Sequence, residues 1–347
     1  MVFHTRVLLS ACAAAFLASS ASQAQTPAPD PAPSPGEIVA AAPKEHWTAI
    51  APSDLMVMDL APQNGKPRRV VIQLMPAPFS QGWVGNIRKL AAAKWWDGTS
   101  INRVQDNYVV QWGDATEKKA LPEGLVNVPE TQYVASLGGP KNIDFSFASF
   151  LEAVPAFAKK FPEEAKKLQT KEAEAEFGRR IRRGFRADPY AEANMAGEGW
   201  PFAADFKGGS YWPVHCYAMV GVGRNLSPDT GSGAELYTVI GHAPRHLDRN
   251  IALVGRVIEG IEHLSSLPRG TGALGFYESE AERVPILSVR IGAEASELAA
   301  YEYLSTESES FARYADARAN RRDPFFIRPA GGADICNIPV PVRRRGP

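Results

Sequence analysis

The pair with the clearest chemical meaning in this chain is Arg103 and Gln111, both inside residues 95–114, WWDGTSINRVQDNYVVQWGD. Asp97-Gly98 signals a turn, residues 99–104 a short strand, Gln105-Asp106-Asn107 a second turn, and residues 108–112 a strand of β-branched and aromatic side chains. Folding about Asn107 brings Arg103 opposite Gln111, to within one register step. Cross-strand neighbours lie about 5 Å apart, so a glutamine carbonyl can steady the guanidinium while the remaining N–H donors face a ligand. The chemistry on offer is hydrogen-bond donation from a held cation to an atom that becomes electron-rich during a reaction. Taken alone, such a hairpin is equally a plain piece of sheet, and its surroundings must decide.

Those surroundings read as a β domain with one helix before the hairpin. Residues 54–60 alternate into a strand, residues 62–67 are a Gly/Pro/Asn turn, and residues 68–75 form a second strand rich in branched side chains. Residues 79–95 place Trp83, Ile87, Leu90, Ala91 and Lys94 at helical spacing around Asn86. Residues 284–291 make a closing strand.

The hairpin resembles the active-site hairpin of the cyclophilins, with its Tyr-Asp-Gly-Thr opening, Phe-His-Arg core and closing Gln-Gly-Gly-Asp. Trp96-Asp97-Gly98-Thr99, Ile101-Asn102-Arg103 and Gln111-Trp112-Gly113-Asp114 stand in their places, and Asn86 sits where the family has its helix asparagine. A second block from Cys216 is similar to the later half of that domain. Residues 217–220 resemble the strand before its central loop, residues 232–239 its Gly-Ser-Gln-Phe-Phe-Ile strand, His246-Leu247-Asp248 its Trp-Leu-Asp, and residues 252–260 its Val-Val-Phe-Gly-Lys-Val segment. The resemblance covers residues 54–139 and 200–292. It implies a mainly β fold: a closed eight-stranded antiparallel barrel capped by helices, over residues 46–294.

The resemblance further implies peptidyl-prolyl cis-trans isomerisation without a covalent intermediate, cofactor or metal. Arg103 stands as the catalytic residue. Tyr108, Val109, Tyr237 and Leu247 stand where the family places its proline pocket, with Met219 in the neighbouring wall and Gln111 beside the arginine. Several positions depart from the pattern. Glu235 replaces a glutamine that contacts the substrate backbone, and an ionised carboxylate could instead pair with Arg103. His246 replaces a tryptophan that closes the pocket and supports cyclosporin binding in the family. Ile251 replaces a histidine, Val254 a phenylalanine, and Asn102 the histidine before the arginine. Two readings follow: an isomerase of low turnover, or a silent cyclophilin-type module that binds proline-containing segments as a chaperone.

Composition narrows the context. Thirty-eight basic and 38 acidic residues balance to zero net charge, which argues against a nucleic-acid partner. Residues 1–24 read as a cleaved secretory signal, so a periplasmic or secreted location is expected, with a lipid anchor on Cys12 as the alternative. Residues 25–45 read as a Pro/Ala-rich linker, and no later run is long enough to span a membrane. Cys216 and Cys336 then remain, and an oxidising compartment suggests a disulfide between them, two unpaired buried thiols being the alternative. No CxxC, HExxH, GxSxG or phosphate-loop motif is present, so no metal or cofactor is called for. Residues 140–199 read as a helical insertion, residues 145–185 above all, with acidic residues first and basic residues last. Residues 295–347 read as a C-terminal extension, helical over 295–318 and irregular over 323–341. The oligomeric state stays open.

Overall fold

The computed structural model describes residues 31–136, 188–295 and 297–346. The expected signal peptide and residues 145–185 of the insertion lie outside them. In chain order the elements are α1 (Pro35–Ala40), β1 (Trp47–Ile50), β2 (Leu55–Gln63), β3 (Lys66–Leu74), α2 (Gln81–Ala92), β4 (Ser100–Val104) and β5 (Val109–Gly113). There follow β6 (Ala135–Ser136), β7 (Ala193–Gly197), β8 (Trp200–Asp205), β9 (Ser210–Pro213), β10 (Met219–Val222), β11 (Leu236–Val239) and β12 (Leu253–Glu259). The last are α3 (Glu262–Ser265), β13 (Val284–Ile291), β14 (Tyr301–Leu304), α4 (Glu309–Ala319) and β15 (Val342–Arg344).

Eight strands close a barrel in the order β10-β11-β5-β4-β13-β2-β3-β12, every neighbouring pair antiparallel. The eight-stranded barrel read from the sequence is therefore the observed fold. Closure leaves no unpaired strand edge, which removes the usual hazard of an exposed sheet. Met56, Met58, Val70 and Ile72 fill its interior. Leu55 and Val71, on the opposite faces of the same strands, pack against Ile50 and Tyr301. Burial on both faces explains why residues 68–75 carry a run of branched residues rather than strict alternation.

The helix α2 buries Trp83, Ile87, Leu90 and Ala91 in the barrel core. Its Asn86 is fully buried and fully used: Nδ2 donates to the Val126 and Ser232 carbonyls at 2.8 and 3.0 Å, and Oδ1 accepts from the Val126 amide at 2.9 Å. A buried amide satisfied on both ends fixes the helix against two loops far apart in sequence.

Outside the barrel the structure departs from the sequence reading in three places. The segment expected to be a linker contains α1, started by a capping box in which Ser34 and Glu37 satisfy each other's backbone amides. The segment 295–318, expected to be one helix, is instead β14 followed by a helix that begins at its Ser308 cap. Tyr301 and Tyr303 favour a strand because β1 and β15 flank them as partners. Finally, residues 193–197, inside the expected helical insertion, are strand β7 of a second sheet ordered β6-β9-β8-β7. The β7–β8 turn places Glu198 and Gly199 at φ 50° and 81°, the doubly left-handed geometry of a tight hairpin. Arg256, buried on β12, ties this hairpin to the barrel by donating to the Gly199 carbonyl at 2.7 Å and to Gln73 Oε1.

A disulfide joins Cys216, just before β10, to Cys336 in the tail, with Cα atoms 5.1 Å apart and 120 residues between them in sequence. Among the described residues no helix is long and apolar enough to cross a membrane.

Candidate active site

The hairpin β4–β5 pairs Arg103 with Gln111, the register expected from its turn residues. A bulge between Ile101 and Arg103 sets two β4 residues against one on β5. Bulges re-aim side chains, and here Asn102 is buried while Arg103 stays half-buried. Arg103 Nη1 donates to Gln111 Oε1 at 3.1 Å, Nε donates to the Leu274 carbonyl at 2.8 Å, and Nη2 donates to Gln105 Oε1. Its guanidinium also lies 5.8 Å from the Tyr108 ring centre and 5.3 Å from that of Phe276. All three hydrogen bonds go to neutral oxygens, so the charge is held without being cancelled. Burial lowers the pKa of Arg103, yet a guanidinium still keeps its proton at any physiological pH.

Beside it lies a cleft of about 110 Å³ lined by Arg103, Tyr108, Val109, Gln111, Gly223, Arg224, Tyr237, Leu247 and Ile251. Its apolar wall is a small cluster of its own, with Val109, Tyr237 and Val239 buried and Tyr108 and Ile251 packed against them. The structure thus gathers Arg103, Tyr108, Val109, Gln111, Tyr237 and Leu247 around one opening. Two further residues expected at the substrate site, Met219 in the neighbouring wall and His246 in place of the closing tryptophan, do not line this cleft. Met219 is 4% exposed and packed in the main hydrophobic cluster. His246 is exposed on the 3-10 turn Arg245–Leu247 and does not line the cleft.

Glu235 does not pair with Arg103, contrary to the possibility raised by its charge. Its Oε1 accepts from the Asp114 amide at 2.7 Å, over Gly113, where a Cβ would overlap the carboxyl group. Burial pushes its pKa up to about 7, against the opposing hydrogen bonds from Asp114 and Asn102. Glu235 and Gln111 together border two further hollows. One, of about 100 Å³, includes Asn102, Phe276, Tyr277 and Arg283. The other, of about 410 Å³, includes Trp95, Asp114, Lys119, Arg224 and Asp229.

Sequence reasoning missed Leu274, Phe276, Gly223 and Arg224. The first two reach Arg103 from a loop 171 residues away, through the Leu274 carbonyl and an isolated bridge between Arg103 and Phe276. No local pattern signals such a contact. Arg224 carried a weak signal, a lone basic residue two positions past a buried strand. Among the described residues no cluster of histidine, cysteine and carboxylate side chains is arranged to hold a metal ion.

A family model described as cyclophilin type peptidyl-prolyl cis-trans isomerase/CLD matches residues 67–291. No curated protein matches the chain. Among solved structures, the cyclophilin AquaCyp293 from Hirschia baltica is similar with a TM-score of 0.54 and 18% identity, over 86% of this chain and 93% of that one. A cyclophilin-type peptidyl-prolyl cis-trans isomerase from Cryptosporidium parvum, solved in the presence of the dipeptide ala-pro, has a TM-score of 0.34 and 10% identity over 68% of this chain and 98% of its own.

Proposed function

Since this chain belongs to the family of cyclophilin-type peptidyl-prolyl cis-trans isomerases and is an enzyme of that class, we propose that it turns prolyl bonds in exported polypeptides with Arg103 as its catalytic residue. The bond before proline has partial double-bond character and a barrier of about 18–20 kcal/mol, so uncatalysed exchange takes tens of seconds or more. Twisting it pyramidalises the prolyl nitrogen and frees a lone pair. A guanidinium has five N–H donors, and three of those on Arg103 are occupied. The remaining two can meet that lone pair, which exists in the twisted state and not in either planar ground state. The apolar wall of Val109, Tyr237 and Leu247 suits the prolyl ring, and holding the ring lets the rest of the peptide rotate about it.

The observation that carries this reading is the Arg103–Gln111 pair at the edge of an apolar cleft, with the cation hydrogen-bonded, among the described residues, to neutral acceptors. The disulfide and the signal-like N-terminus support action outside the cytoplasm, in the periplasm or beyond. Purified mature protein is expected to show weak but measurable isomerisation of proline peptides. Arg103→Ala should reduce it at least tenfold, about 1.4 kcal/mol of barrier. If wild type and Arg103→Ala both match buffer across varied proline peptides, the catalytic role is wrong. A second reading, a chaperone-like module that binds proline segments without turning them, is favoured by the Leu274 carbonyl and Gln105 already engaging the arginine's donors.

A further inference from the structure

Behind the cleft wall runs a buried polar chain that the isomerase chemistry above does not use. The Tyr237 hydroxyl meets His215 Nε2 at 2.9 Å, and His215 Nδ1 meets Asp248 Oδ1 at 2.9 Å. Asp248 Oδ1 also accepts from the His215 amide at 2.9 Å, and its Oδ2 accepts from Arg245 Nε at 2.6 Å. Arg245 Nη2 continues to Asp188 Oδ2 at 2.6 Å. His215 is 1% exposed, Arg245 3%, and Asp248 and Tyr237 5% each. Burial raises the Asp248 carboxyl, but His215 and Arg245 together outweigh it and hold the group ionised, below its ordinary range.

The proton positions follow from chemistry. An ionised carboxylate only accepts, so Nδ1 donates to Asp248, and in the neutral imidazole Nε2 is left to accept from the phenol. Tyr237 faces Gly221 across the β10–β11 pair, where any Cβ would overlap the phenol end of its ring. The rest of its cluster, Val109, Val239, Tyr108 and Ile251, is largely apolar. Leaving a buried hydroxyl without a partner is costly, because its lost water is not replaced. Deprived of Nε2, the phenol would be drawn outward into the cleft, toward water and into the space a prolyl ring would fill.

We propose that His215 and Asp248 are positioning residues of the isomerase site, which hold the Tyr237 phenol in the wall and so keep the cleft open for proline. The proposal rests on the isomerase reading for the identity of the ligand, not for the geometry. The structural alternative is that the chain only stabilises the fold. The two separate in a double-mutant comparison. Affinity for a tetrapeptide with a central alanyl-proline bond is measured by titration, with and without the hydroxyl. His215→Leu should weaken binding at least fivefold when Tyr237 is present. In a Tyr237→Phe background, which has no hydroxyl to misplace, the same change should weaken it less than twofold. His215→Gln, which restores an acceptor near Nε2, should recover most of the loss.

Equal losses in both backgrounds, no loss with Tyr237 present, or no binding by wild type would each overturn the proposal. Should His215→Leu fail to fold, the nitrogen resonances of the His215 imidazole decide. Wild type should show a protonated Nδ1 and a bare Nε2, the latter shifting in Tyr237→Phe, and an unmoved Nε2 resonance refutes the contact. A wild type that binds the peptide but does not turn it would sink the catalytic reading while leaving this comparison valid.

Discussion

Replacing Glu235 with glutamine tests whether the carboxyl group near Gly113 is a strained acid. Burial raises it from 4.5 to about 7. Below pH 4.5 the group is protonated whether the chain is folded or not. Between 4.5 and about 7 the folded protein keeps a proton that the unfolded chain has released, so stability falls as pH rises. Above about 7 both states are ionised and the loss is complete, about 3 kcal/mol at 1.36 kcal/mol per pH unit. Glutamine has the same shape, keeps an oxygen for the Asp114 amide and never ionises. Thermal unfolding followed by circular dichroism from pH 4.5 to 8.5 is the assay. Glu235→Gln should melt close to wild type at pH 4.5 and roughly 5 °C higher at pH 8. A difference between the two proteins that does not change with pH would refute the reasoning.

Three other outcomes are expected. The mature protein should show no free thiol under denaturing, non-reducing conditions, and reduction of Cys216–Cys336 should lower its stability by roughly 2–4 kcal/mol in denaturant titrations. Gly221→Ala pushes a methyl group into the Tyr237 ring, so it should cost about 1–3 kcal/mol of stability and raise KM for proline peptides, read from melts and progress curves. Cyclosporin should inhibit poorly, because His246 is exposed and lies away from the cleft; nanomolar inhibition of wild type would contradict this.

The Arg103–Gln111 register was legible in the sequence because it rests on local rules, whereas the closed barrel was legible only through the family resemblance. Side chains alternate faces every residue along a strand, and Asn-Gly, Asp-Gly or an Asn at positive φ marks where a hairpin turns. The cluster of Tyr108, Val109, Tyr237 and Leu247 was legible through resemblance to a family whose order of elements the chain keeps. Tertiary structure alone decided the rest. Whether Met219 lined the cleft or joined the main hydrophobic cluster depended on which distant segments cover it. Glu235 lay within reach of either Arg103 or Asp114, and the gap left by Gly113 settled it. The tail segment 301–304 is a strand only because Trp47–Ile50 and Val342–Arg344 pair with it from opposite ends of the chain. His215 gave no sign of its place, since its partners Asp248 and Tyr237 are 33 and 22 residues away. Short-range patterning sets which way a side chain points within its own strand. Which partner it meets there depends on contacts between segments distant in sequence, and those exist only once the chain has closed on itself.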